Sequence, residues 1–329
     1  MGKTVLVTGA AGFIASHLTE ALLARGDTVV GLDSFNPYYD PARKRANLEE
    51  IREANDAPER FTFVEGDIRD RELLKRLFGE HGFDAVAHLA ANGGVRTSVE
   101  QPHLYYDINL IGTLNLLEQA RESGLANFVF SSTSSAYGNT TQIPFDEDDP
   151  CDRPLAPYPA TKRSAELLGH SYNHLHGQNF TALRLFTVYG PRGRPDMMPY
   201  KLLDNIYQGR DVPLYNAGQM HRDWTFVGDI AQGFCRAIDR PLGFSIINIG
   251  CGTPVLLAEF VEMVERITGK KTSLRHEPMH EADVAYTYAK LDKARALLGY
   301  EPTVHIEAGV TALVQWYQRA VTGTAKDGS

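Results

Sequence analysis

The chain has 329 residues, 43% of them hydrophobic, and a formal net charge of -8. That length suits one large core or a large and a small lobe, and the composition excludes a disordered chain. An acidic balance with no broad basic surface argues against nucleic acid and anionic membranes as partners, so an anionic ligand must be held by a few placed arginines.

In chain order, Lys3–Thr8 is predicted as a strand and Phe13–Arg25 as the helix after it. Strands Thr28–Leu32 and Phe61–Glu65 come next, then helix Asp70–Gly79, strand Ala85–Leu89, helix Tyr105–Ser123, strand Phe128–Ser132, helix Tyr158–His176 and strand Thr181–Leu185. Short β-branched runs alternating with helices whose apolar residues recur every three or four positions indicate a parallel sheet covered on both faces. From about Gly190 the pattern breaks into the Gly- and Pro-punctuated pieces GPRGRPDMMPY, NAGQMHRDW and INIGCGTPV, a smaller mixed lobe with helices at Leu257–Thr268 and Ala308–Val321. A frayed tail is expected over Gly323–Ser329.

No apolar run approaches the roughly 18–20 residues that span a bilayer. The opening MGKTVLVTGAAGFIASHL enters a strand without the charged-then-apolar pattern of a signal peptide, so a cytoplasmic protein is expected. Cys151, Cys235 and Cys251 are odd in number, far apart and without a CxxC pair, which reads as packing residues rather than a disulfide framework or a metal site.

The first strand runs into TGAAGFIA, a glycine turn opening a helix, so the backbone N–H groups beside Gly9 and Gly12 face outward to receive a pyrophosphate. Asp33 ends the next strand about 20 residues on, where a carboxylate accepts hydrogen bonds from an adenosine ribose and repels a 2′-phosphate, favouring NAD. Arg43, Lys44 and Arg45 lie nearby and read as a solvated helix face.

PYPATK sets Tyr158 and Lys162 four apart at a helix start, on one face. A phenol with a pKa near ~10 is a poor base at neutral pH, and an adjacent ammonium together with a nicotinamide cation would favour its phenolate. Upstream, the strand in FSSTSSAYG leaves Thr133 at the carboxyl edge of the sheet, where open α/β sheets bind ligands and a hydroxyl can relay a proton.

These motifs, with Asp67-Ile68, HLAA (His88–Ala91), Asn109 and Arg222–Trp224, make the chain resemble the extended short-chain dehydrogenase/reductase superfamily over essentially its whole length. GGVR (Gly93–Arg96), FTVYGPRGRPDM (Phe186–Met197) and DSFNPYYDP make it specifically similar to the UDP-glucuronate 4-epimerases. The resemblance implies a Rossmann-type doubly wound sheet over 1–189, with roughly 222–250 returning to it, and a UDP-sugar lobe over most of 190–329. It implies an NAD site lined by Phe13, Ile14, Asp33, Ser34, Asn36, Asp67, Ile68, Leu89, Ala90, Ala91, Asn109, Tyr158, Lys162, Phe186 and Val188. It also implies a homodimer through helices Tyr105–Ser123 and Tyr158–His176.

Members of the superfamily oxidise the sugar C4 hydroxyl and differ in how the resulting ketone is used. Dehydratases place Asp-Glu after the threonine, and decarboxylases place a glutamate at the position of Ser135; here those positions are Ser134 and Ser135. With no carboxyl group beside the ketone, epimerisation is the expected outcome. By the resemblance Ser134, Ser135 and Thr187 hold the sugar carboxylate, Arg222 and then Arg194 meet the diphosphate, and Asp283 binds the uridine ribose. Arg96 and Arg192 are further candidates for the diphosphate or carboxylate, although Arg192 stands where this branch carries a bulky aromatic. A decarboxylase or dehydratase on the same scaffold, and a non-catalytic NAD-binding protein, are the competing readings.

Overall fold

The computed structural model describes residues 2–323. Strand β1 (Thr4–Thr8) leads through the glycine turn into α1 (Phe13–Ala24), then come β2 (Thr28–Asp33), α2 (Pro41–Ala54), β3 (Phe61–Glu65), α3 (Arg71–Glu80) and β4 (Ala85–His88). Two short helices, α4 (Val95–Glu100) and α5 (Pro102–Tyr106), are followed by a π-helical turn, Asp107–Ile111, that continues into α6 (Gly112–Glu122). The single helix expected over this stretch is therefore interrupted at Asn109, whose side chain the wide turn directs to the loop after β4. Next are β5 (Asn127–Thr133), α7 (Pro157–His176), β6 (Phe180–Leu185) and β7 (Thr187–Tyr189). The remainder comprises α8 (Met198–Gln208), β8 (Val212–Tyr215), β9 (His221–Phe226), α9 (Val227–Asp239), β10 (Phe244–Ile249), β11 (Pro254–Leu256), α10 (Leu257–Thr268), β12 (Leu274–Glu277) and α11 (Ile306–Tyr317).

Seven strands form one sheet in the order β10-β6-β5-β4-β1-β2-β3, every neighbouring pair parallel. Apolar side chains on one face meet α1 and α9, through Leu18, Leu22, Ile230 and Phe234, and those on the other meet α3, α6 and α7. All seven residues of β5 are buried, as a central parallel strand requires. The chain order reverses between β1 and β4, so the crevice at the carboxyl ends of these strands is the switch point where ligands bind in such sheets.

The second lobe has a core of its own around Leu203, Trp224, Phe260, Leu313 and Tyr317, bounded by the small sheets β11-β9-β7 and β12-β8. Within the segment that the sequence assigns back to the large sheet, α9 and β10 lie on that sheet while β9 belongs to the small one. The tail expected beyond Gly323 lies outside the described residues. No described helix is long and apolar enough to cross a membrane.

Candidate active site

Two adjoining cavities open along the carboxyl edge of the large sheet. The first, of about 330 Å³, reaches from the glycine turn to Tyr158; the second, of about 400 Å³, lies between that edge and the small lobe. Both are bordered by Tyr38, Gly94, Val95, Ser134, Ser135, Thr187 and Met197, so a ligand spanning both would pass these residues.

At the far end of the first cavity Gly9 takes φ +73°, and a Cβ there would lie 2.9 Å from the Ala90 nitrogen, so the turn admits glycine alone. Gly12 precedes α1 without a side-chain cap, leaving the helix N-terminus free to face an anion. Asp33 is buried, and its Oδ1 accepts from the Phe35 N–H at 2.8 Å. Lys44, expected on a solvated face, is instead buried: its Nζ lies 3.6 Å from Asp33 Oδ1 and donates to Asn36 Oδ1 at 2.7 Å. Burial pushes the Lys44 ammonium below its ordinary value, opposed by Asp33.

At the near end, β5 delivers Thr133 and the first turn of α7 carries Tyr158, whose backbone N–H is held by Ser98 Oγ at 3.0 Å. The Thr133 hydroxyl stands by the Tyr158 phenol and favours its anion, and the Ser135 N–H donates to Thr133 Oγ1 at 3.2 Å. Burial pushes the phenol above its usual value, while the Arg194 guanidinium and the Thr133 hydroxyl oppose that. Lys162 donates from Nζ to the Ser131 carbonyl at 2.8 Å, and burial pulls it down to about 7 against the pull of Glu166. The cation that favours the phenolate is thus Arg194, where the sequence points to Lys162. Arg194 is itself clamped by Asp196, with Nε–Oδ1 at 3.0 Å and Nη2–Oδ2 at 2.7 Å.

Beneath this shelf Glu166 accepts from Ser132 Oγ at 2.6 Å and from Arg184 at 2.9 Å through both oxygens, all three residues being buried. Ser131 and Ser132 are thereby tied to successive turns of α7, which fixes the strand end carrying Thr133.

A model described as the NAD-dependent epimerase/dehydratase family matches residues 5–250. The chain belongs to the NAD-dependent epimerase/dehydratase family. A protein of Thermodesulfobacterium geofontis named UDP-glucuronate 4-epimerase is 42% identical, over 94% of this chain and 95% of its own. Among solved structures, UDP-glucuronic acid 4-epimerase from Bacillus cereus, in complex with UDP-glucuronic acid and NAD, superposes with a TM-score of 0.88 at 34% identity, covering 96% of this chain and 99% of its own. A UDP-glucose 4-epimerase from Thermotoga maritima also gives 0.88, at 29% identity over 97% and 99%, so backbone likeness alone does not distinguish the sugar.

The first cavity fits the dinucleotide of this family: a glycine turn where a side chain would collide, an uncapped helix N-terminus, and a carboxylate at the end of β2. Gly9, Gly12, Phe13, Ile14, Asp33, Ser34, Asn36, Asp67, Ile68, Leu89, Ala90, Ala91, Lys162, Phe186 and Val188 all line it, together with Thr133, Tyr158 and Arg194. Arg96, Arg222 and Asp283 line the second cavity. There Arg96 Nη2 meets Asp283 Oδ2 at 2.6 Å and the guanidinium stacks 4.1 Å above the Tyr215 ring, while burial lowers Arg222 and Asp283 opposes the shift.

Two expected site residues line neither cavity. Asn109 is buried and clasps the backbone of Asn92, accepting from its N–H at 2.8 Å and donating to its carbonyl at 3.0 Å, so it shapes the wall from behind. Arg192 turns outward to Glu20 and Glu50. Conversely Tyr38, Tyr39, Lys44 and Met197 line the first cavity, and the sequence pattern does not single them out. The two tyrosines lie within DSFNPYYDP, and only the docking of α2 reveals which way that segment turns.

Proposed function

We propose that this chain interconverts UDP-glucuronate and UDP-galacturonate by epimerisation at C4, with Tyr158 as the base. The observation that carries the reading is the chemistry beside Thr133. Among the described residues, the carboxylates lining the two cavities are Asp33, Asp67, Asp196 and Asp283. Asp33 and Asp67 sit at the cofactor end, Asp196 is bound to Arg194, and Asp283 is bound to Arg96. The shelf itself offers hydroxyls: Ser134, Ser135 and Thr187 border both cavities.

NAD, when bound, supplies a reversible hydride acceptor. Tyr158 takes the proton of the C4 hydroxyl, with Thr133 holding the same oxygen in line, and returns it when the sugar has turned over. Arg194 favours the phenolate this requires. A 4-keto hexuronate is a β-keto acid that loses carbon dioxide when the carboxylate bond aligns with the carbonyl π system. Ser134, Ser135 and Thr187 restrain that carboxylate by donation without fully neutralising it. Arg222 meets the diphosphate in the second cavity, and the carboxylates there among the described residues, Asp196 and Asp283, are paired with Arg194 and Arg96 rather than placed to remove water.

Two copies are inferred to associate through α5, α6, the π-helical turn between them and α7, where Tyr106, Ile111, Leu167 and Leu175 are exposed. Free thiols at Cys151, Cys235 and Cys251 agree with a cytoplasmic location.

The test is separate incubation with UDP-glucuronate, UDP-glucose and UDP-xylose, followed by chromatography and mass measurement. UDP-glucuronate alone is expected to yield a product of unchanged mass, with no net NADH formed. Loss of carbon dioxide or water, or stoichiometric NADH, rules the reading out.

A further inference from the structure

The loop from Gly190 to Met197 faces two ways. Inward, Arg194 and Met197 line the first cavity, and Asp196 and Met197 the second. Outward, Arg192 lines neither cavity and its side chain is only 8% exposed. Its Nη2 meets Glu20 Oε1 of α1 at 2.5 Å and its Nε meets Glu50 Oε2 of α2 at 2.8 Å. One residue earlier, the Pro191 carbonyl lies 3.0 Å from His17 Nε2, again on α1. Burial and the neighbouring Arg192 charge push His17 down to about 4, so it is a neutral ring donating to that carbonyl.

Within the loop, Asp196 and a 3.1 Å bond from the Met197 N–H to the Arg194 carbonyl shape the inward half, whereas the half around Arg192 is tied to α1 and α2. Gly190 and Gly193 close a turn through a 3.2 Å backbone bond, and Arg192 adopts φ +62°, a left-handed conformation that a side-chain-bearing residue keeps only when its surroundings enforce it. The enforcing partners belong to the two helices that frame the cofactor cavity: α1 starts at its glycine turn, and α2 brings Lys44 to Asp33.

We infer that Arg192 is a positioning residue, a strut that fastens the sugar-facing loop to α1 and α2 and thereby places Arg194 and Met197 against the substrate from outside the site. The inference rests on the reading of this loop as part of a UDP-glucuronate site. It gives the arginine a use that needs no contact with substrate, and it makes the sugar site depend on the helices that hold the cofactor.

The holoenzyme carrying Arg192→Met is compared with wild type, Arg192→Lys and Glu50→Gln. Amide hydrogen exchange over 190–197 is expected to quicken in Arg192→Met while 13–24 stays protected, and Arg192→Lys is expected to restore most of the protection. The KM for UDP-glucuronate should rise roughly 2- to 30-fold, the range for a coupling residue that touches no ligand, with kcat changing less than about twofold and NAD retention unaltered. Glu50→Gln should give a smaller change of the same kind, which keeps the test decisive if Arg192→Met does not fold. Unchanged exchange in the loop, or exchange quickening equally over 13–24 with loss of NAD, overturns the strut. A wild-type protein that does not bind UDP-glucuronate overturns the proposed function instead, and the exchange comparison still decides the role of Arg192.

Discussion

In the proposed reaction Tyr158 is the base, and its surroundings bear on which form of the phenol is favoured. Burial favours the neutral phenol, while Arg194 and the Thr133 hydroxyl favour the anion. Tyr158→Phe is expected to lower the epimerisation rate by about 10²–10⁴-fold, the usual contribution of a positioned base, while NAD binding is retained. A residual rate above a few per cent would mean that another group accepts the proton. Lys162 makes a prediction about stability. Its ammonium is buried, with a folded value of about 7 against 10.5 for a free side chain. Between those pH values the unfolded chain holds a proton that the folded chain has released, so this residue's contribution to stability rises with pH and is most adverse below 7. Lys162→Met is therefore expected to be more stable than wild type at pH 6, with the advantage shrinking towards pH 10. A melting-temperature difference that does not narrow with pH would count against it.

At the scale of elements, the glycine turn between β1 and α1 is the part most tightly dictated by sterics. Gly9→Ala forces a methyl group to 2.9 Å from the Ala90 nitrogen in a left-handed conformation. Strain of this kind costs about 1–3 kcal/mol, so either the melting temperature falls or the turn opens and NAD is lost; calorimetry and cofactor content read the two. A variant that keeps both would show that the turn can relax. The same elements show how far sequence reasoning reaches. The β1, β4 and β5 strands are legible because burial on both faces makes them continuous apolar runs. Tyr158, Lys162 and Thr133 are legible because fixed spacing places them on one helix face and one strand end. The inward face of helix α2 is not, because it consists of Lys44, Asn47, Leu48 and Ile51, two of them polar and satisfied by tertiary partners. Strands β7 and β11 have three residues each and β8 and β12 four, too few to display a period. Arg192 escapes sequence reasoning for a related reason: an arginine in a loop beside a ligand site does not reveal which side of the backbone it takes until α1 and α2 present Glu20 and Glu50.

For the whole molecule, the catalytic end of α7 depends on helices that are only half covered. Ser98 of α4 holds the Tyr158 backbone N–H, and the Tyr105 ring meets the Tyr158 ring edge-on at 6.3 Å. On these helices and the π-helical turn between them Val99 is 54% exposed, Ile111 45%, Leu167 52% and Leu175 69%. Large apolar side chains gathered on neighbouring helices are more than the scattered exposed leucines normal for a surface, and a second copy bringing the same face would cover them by two-fold symmetry. In the proposed dimer, Leu167→Glu places a charge in that contact. A change from dimer to monomer is expected by light scattering at micromolar concentration, together with a lower kcat as α4 and α5 lose the support that steadies Tyr158. The cofactor cavity opens at the carboxyl edge of the sheet, away from Leu167, so NAD content should be unchanged. A wild-type chain that is monomeric under the same conditions, or a Leu167→Glu monomer with full activity, would separate the reaction from the assembly and leave α4 and α5 sufficient by themselves to hold the base.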